Sequence, residues 1–106
     1  MIAKTNRLHR SDIGQVIRKG KRVNGEFLVC HMLPSDQIRL AVVVPKKAVR
    51  GATDRQRTRR IIMGSLQEQM VSTDVSGYFV FRVIKPFPTE SSLKADLIQL
   101  VKKISS

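Results

Sequence analysis

Apolar positions along this chain switch between the 3.6-residue period of helices and the two-residue period of strands. Ile13, Val16 and Ile17 recur at i, i+3 and i+4, which predicts a short helix over residues 12–19. Ser11 is placed to cap it, Asp12 suits its first turn, and Gly20 ends it where a left-handed residue is easiest. Arg18 and Lys19 begin a basic stretch that continues into Lys21 and Arg22. Over residues 26–33, Phe27, Val29 and His31 alternate with Leu28, Cys30 and Met32, a strand pattern closed by the turn residues Pro34, Ser35 and Asp36. Residues 38–44 form a second strand with Leu40, Val42 and Val44 on one face. The short connection predicts an antiparallel hairpin, and the near-continuous apolar run predicts a central position in the sheet. Pro45 then breaks the ladder and leaves residues 46–52 as a loop. Thr53 or Asp54 caps a helix running to about Met70, with Ile62, Leu66 and Met70 as its buried stripe and Arg55 and Arg59 extending that stripe. Residues 78–84 make a third strand, closed by Pro86 and Pro88; Thr89, Ser91 or Ser92 caps a last helix with Leu93, Leu97, Leu100, Val101 and Ile104 inward.

The order α-β-β-α-β-α predicts an α+β protein, a mixed sheet with helices packed on it as an α/β sandwich, its middle strand-helix-strand unit a crossover. At 106 residues and 42% hydrophobic content the chain suits one domain over residues 1–106. No apolar run reaches membrane-spanning length, and Lys4, Arg7, His9 and Arg10 have no apolar segment behind them, so neither a membrane span nor a secretory signal is expected. The single cysteine, Cys30, fits a reducing, cytoplasmic setting and reads as a small packing residue.

Charge changes the picture most. Twenty Lys and Arg against eight Asp and Glu give a net charge of +12. Within residues 39–60, Arg39, Lys46, Lys47, Arg50, Arg55, Arg57, Arg59 and Arg60 face only Asp54. Arginine predominates there, and its guanidinium fork suits phosphate oxygens, so a nucleic acid is the expected partner. An anionic membrane surface is disfavoured because residues 54–60 carry no apolar side chain for insertion. The helix N-terminus adds partial positive charge at the same place.

A catalytic constellation is not legible. The carboxylates are scattered, His9 and His31 have no metal-ligand spacing, and neither GxxxxGK[ST] nor GxGxxG occurs. The signatures of an RRM, a KH clamp, a zinc finger and a helix-turn-helix are also missing. What remains is a basic helix end joined to a basic loop.

The run Arg55-Gln56-Arg57-Thr58-Arg59-Arg60 resembles the RNRxxKR signature of the bacterial ribonuclease P protein component, preceded as in that family by a short apolar strand and the pair Lys46-Lys47. Arg7-Leu8 and the pattern Ile13-x-x-Val16-Ile17-x-x-Gly20-Lys21-Arg22 are similar to the family's RL and FxxVFxxGKR elements, and the last strand and helix also correspond. The resemblance implies the protein subunit of an RNA-based endoribonuclease that removes 5′ leaders from precursor tRNA. It implies partners in the ribonuclease P RNA and precursor tRNA, with no membrane or DNA partner. Catalysis and the Mg²⁺ ions would belong to the RNA, with no cofactor on the protein alone. It further implies a left-handed βαβ crossover, like the second domain of ribosomal protein S5. By the same resemblance Lys46, Lys47, Arg50, Arg55, Arg57, Arg59 and Arg60 face the catalytic RNA, and Ile13, Ile17, Leu28, Cys30, Arg55, Gln56 and Arg59 line a cleft for the leader. Isoleucines stand at positions 13 and 17 where the family has phenylalanines, Cys30 where it often has tyrosine, and Gln56 where it has asparagine, so base stacking is reduced; Ile13 and Ile17 read equally well as core. The alternatives are a structural RNA-binding protein such as a small ribosomal protein, or a nuclease acting alone.

Overall fold

The computed structural model describes residues 7–71 and 75–105; Lys4 lies outside them. Three helices and four strands follow the order α1 (Arg10–Lys19), β1 (Lys21–Asn24), β2 (Leu28–Leu33), β3 (Ile38–Val43), α2 (Ala52–Val71), β4 (Gly77–Val83) and α3 (Glu90–Ser105). The sheet order is β1-β2-β4-β3, antiparallel between β1 and β2 and between β2 and β4, parallel between β3 and β4. The α+β class and the mixed sheet of the sandwich are therefore present, and the β3-α2-β4 unit is a crossover between parallel neighbours.

Two expectations about the sheet are corrected. β2 and β3 do not form a hairpin, because β4 lies between them and pairs with both. β3 is thus an edge strand, and its apolar character has another cause: Leu40 and Val44 face one core, while Ala41 faces a second on the opposite side. Its outer edge is partly covered by Arg7, which bridges to Leu40, and by Leu8, whose N–H donates to the Leu40 carbonyl at 2.8 Å. β1 was not expected as a strand. Only Val23 turns inward from it, so its sequence carries almost no alternation, and Lys21 and Arg22 blunt an exposed edge against further pairing.

Helix ends differ in detail. α1 begins at Arg10 with His9 as its cap, and Ser11 lies inside the helix instead of capping it. Gly20 has φ −76°, so handedness does not require it; a Cβ there would stand 2.7 Å from the Met32 carbonyl and closer still to that of Val16. Close approach of α1 to β2 is what selects glycine. Thr53 and Asp54 fall within the first turn of α2, not before it. Thr89 caps α3, its hydroxyl accepting from the Ser92 N–H at 3.1 Å.

Alternation assigns the two sheet faces. Leu28, Cys30, Leu40, Phe79, Phe81 and Val83 point to the side covered by α2 and α3, where they meet Ile62, Leu66, Leu93, Leu97 and Leu100 in the main core. Val80 and Ala41 point the other way and pack with Val16 and Leu8 under α1. Asp96 locks α3 to the β1–β2 turn, its carboxylate accepting from the N–H groups of Glu26, Phe27 and Leu28 at 2.8, 2.8 and 3.0 Å. Gly25 is demanded by this contact, since a Cβ there would lie 2.7 Å from Asp96 Oδ1.

Candidate nucleic-acid interface

The basic loop is built from inside out. After β3, the N–H groups of Ala48 and Val49 both donate to the Pro45 carbonyl at 3.1 Å, making a tight turn. Ala48 is buried and Val49 packs against the main core, so Lys46, Lys47 and Arg50 are left projecting into solvent. Arg55, one turn into α2, closes the loop by donating through Nη1 to the carbonyls of Val49 (3.2 Å) and Arg50 (2.5 Å). Its guanidinium therefore shapes the basic loop and is partly committed to it.

The arginines of α2 divide between two sides. A buried Thr58, its hydroxyl donating to the Asp54 carbonyl at 2.7 Å, precedes Ile62, Leu66 and Met70 in the inward stripe. Arg59 is not in that stripe; the 100° step per residue carries it, with Arg60 and Gln56, toward solvent. Arg59 and Arg60 flank a groove of about 450 Å³ between α2 and the outer edge of β3, with Arg7 also lining it. Arg57 points toward α3 and pairs with Glu90 at 2.8 Å, both side chains well exposed. An exposed pair of this kind is worth about 0–1 kcal/mol, too little to withhold Arg57 from a polyanion. Lys46, Lys47, Arg50, Arg59 and Arg60 make no ion pair among the described residues.

The cleft residues are not brought together. Leu28 and Cys30 are fully buried in the main core beneath α2 and α3, whereas Ile13 and Ile17 lie half-buried on the α1 side of the sheet. The strand's two-residue period is the reason: β2 residues facing α1 are of the opposite parity, Val29 and His31. Leu28 and Cys30 are thus structural, and burial pushes the Cys30 thiol up to about 12, leaving it inert at neutral pH.

His31 is a site the sequence did not reveal. It is 4% exposed, and neither ring nitrogen has a hydrogen-bond partner among the described residues; Arg82 Nε is likewise buried without one there. Burial, then the positive charges of Arg82 and Arg22, lower its pKa below the ordinary 6.5. A second residue missed was Arg7, which pairing with Leu40 delivers to the groove rim. Gly64, in the middle of α2 and lining the same groove, was visible as a glycine inside a helical pattern but not as part of a surface.

Among the described residues no group of three His, Cys, Asp or Glu side chains stands close enough to share a metal ion, and no helix is long and apolar enough to cross a membrane. Asp96 is fully used by backbone donors and Glu90 by Arg57. The arrangement can therefore hold phosphates on its basic side chains.

Comparison with known proteins bears on this arrangement directly. A family model described as Ribonuclease P matches residues 2–105. The fold is similar to that of the RNase P protein of Staphylococcus aureus, with TM-score 0.84 and 21% identity over 97% of this chain and 100% of the other. It is also similar to the RNase P protein of Thermotoga maritima, with TM-score 0.79 and 22% identity over 94% of this chain and 98% of the other. A Staphylococcus aureus RNase P protein mutant with defective mRNA degradation activity aligns at TM-score 0.80 and 19% identity, covering 94% of this chain and 88% of the other. No curated protein sequence matches the chain.

Proposed function

This chain belongs to the ribonuclease P protein family, whose role is the 5′ processing of tRNA, and we propose that it works there by binding two RNAs while catalysing nothing itself. The first is the catalytic RNA. Lys46, Lys47 and Arg50 from the loop, with Arg59 and Arg60 from α2, form its phosphate-binding surface; Arg57 joins once released from Glu90, and Arg55 holds the loop in shape. The second is the precursor tRNA, whose 5′ leader reaches Ile13 and Ile17 on the α1 side and Gln56 and Arg59 on α2. Leu8 links the two, since it packs in the α1 cluster and lines the groove beside Arg59. With isoleucines at the α1 positions, the leader is held by charge and shape more than by stacking.

The observation that carries this reading is the set of five basic side chains, on one loop and one helix end, that make no ion pair among the described residues, held there by an apolar anchor at Ala48 and the Arg55 strap. Among the described residues no three His, Cys, Asp or Glu side chains converge, and this reading assigns phosphodiester cleavage and the Mg²⁺ that assists it to the RNA subunit. The test is reconstitution of the protein with the ribonuclease P RNA of its host at low Mg²⁺, with leader removal from precursor tRNA as the readout. Stimulation by protein, and no cleavage by protein alone, is the expected result; no stimulation contradicts the proposal.

A further inference from the structure

His31 occupies a place that an apolar side chain would fill at lower cost. Its neighbours on the α1 face of the sheet are Val29, two residues before it on β2, and Val80, directly across on β4, and all three are buried. Neither imidazole nitrogen has a hydrogen-bond partner among the described residues, and polar atoms buried in that way oppose folding. Packing alone does not account for a histidine here.

The ring is flanked by positive charge. Arg22 stands directly opposite on β1, its Nε donating to Asn24 Oδ1 at 2.8 Å, and Arg82 stands diagonally across on β4 with its own Nε buried. Strand alternation puts all three on the same side of the sheet. Tyr78, further along β4, and Arg39, on the edge strand β3, are the other ionisable side chains of that face. α1 packs on β2 and β4 and turns Ile13, Val16 and Ile17 to the sheet. It carries Arg10, Arg18 and Lys19, all exposed, against one acid, the half-buried Asp12; His9, at its start, is exposed. No carboxylate among the described residues pairs with the ring, so burial and the two guanidinium groups favour its neutral form.

α1 is also held more lightly than α3. Val16 is its one fully buried side chain and His9 gives its N-terminus no side-chain cap, whereas α3 buries six side chains. Elements held in this way open locally at less cost than the whole domain.

We propose that His31 is an acid-sensitive latch on α1. While the ring is neutral the helix lies on the sheet; a third positive charge beside Arg22 and Arg82 drives the helix away and admits water to all three side chains. The latch works in the free protein and does not depend on the RNA-binding reading above. Its direction follows from linkage: with the helix released the ring is hydrated and binds a proton more readily, so falling pH favours release. With the ordinary value of 6.5 in the released state, release gains at most about thirtyfold between about pH 7.5 and pH 5. Carboxylates stay ionised over that range.

The test is amide hydrogen exchange on the full chain at both pH values, each rate divided by that of the unstructured peptide, in wild type, His31→Val and His9→Gln. Protection of residues 13–19 is expected to fall about tenfold at the lower pH in wild type and in His9→Gln, and to stay level in His31→Val. Local release is read from low concentrations of urea, which should hardly change exchange in α1 while accelerating it in α3. Equal protection and equal urea dependence in the two helices would mean that the domain opens as a whole, and would overturn the latch. So would the same loss of α1 protection in His31→Val. Should His31→Val not fold, NMR titration of wild type decides: the His31 ring and the Val16 and Ile17 methyl groups should shift with one midpoint. A ring that titrates while those methyl groups stay fixed would contradict the proposal.

Discussion

The two faces of the sheet are built to different standards. On the side covered by α2 and α3, the described residues include seventeen buried apolar side chains, among them Phe79 and Phe81; on the α1 side five are buried, Leu8, Val16, Val29, Ala41 and Val80. The difference separates stability from recognition. The first face holds the fold, whereas the second keeps half-buried isoleucines, a histidine without a hydrogen-bond partner among the described residues and an arginine whose Nε is buried. The basic side chains of α2 and its loop then sit at the rim of the well-packed side, where a rigid base fixes them.

Truncation on each face should measure that contrast. Phe81→Ala, in the main core, is expected to cost about 3–5 kcal/mol in urea unfolding; Ile17→Ala, half-buried under α1, about 1 kcal/mol. Similar losses from both would erase the distinction. Asp96→Ala comes next, at about 3 kcal/mol, because it strands three backbone donors at the β1–β2 turn. Amide exchange at Phe27 and Leu28 would rise with it.

The pH dependence of stability should arise from the α1 face. With its folded pKa below 6.5, His31 binds fewer protons in the native state than when unfolded, so stability is present above about pH 6.5 and is lost as pH falls through the folded pKa. Urea midpoints between pH 7.5 and 5 should decline in wild type and decline less in His31→Gln. The smallest effect belongs to the Arg57–Glu90 pair: Glu90→Gln should shift stability by no more than about 0.5 kcal/mol. It should also tighten RNA binding slightly by freeing Arg57, and weaker binding would place the RNA away from this side of α2.

Much of this was legible in the sequence because period and punctuation report local structure. Pro45 ends β3, Thr89 caps α3, and Ile62, Leu66 and Met70 fix the inward side of α2. The order of strands was not legible, since β2 and β3 are adjacent in sequence while β4 inserts between them by a long-range pairing. The family resemblance implies a cleft lined by Leu28 and Cys30, whereas they belong to the core; alternation in β2 shows two sets of side chains but not which set faces which helix. The charge window at residues 39–60 was plain from composition. The division of its arginines between strap, ion pair and groove depends on contacts with Val49, Glu90 and β3, which only the folded chain brings near.

The central claim is that a compact core presents a small set of unpaired cations to RNA phosphates. Its most direct measurement is the slope of log affinity for the ribonuclease P RNA against log salt, in wild type and in a variant with Lys46, Lys47, Arg59 and Arg60 replaced by alanine. Each lost phosphate contact should flatten the slope by about 0.7–0.9, with melting temperature preserved. An unchanged slope in a folded variant would contradict it.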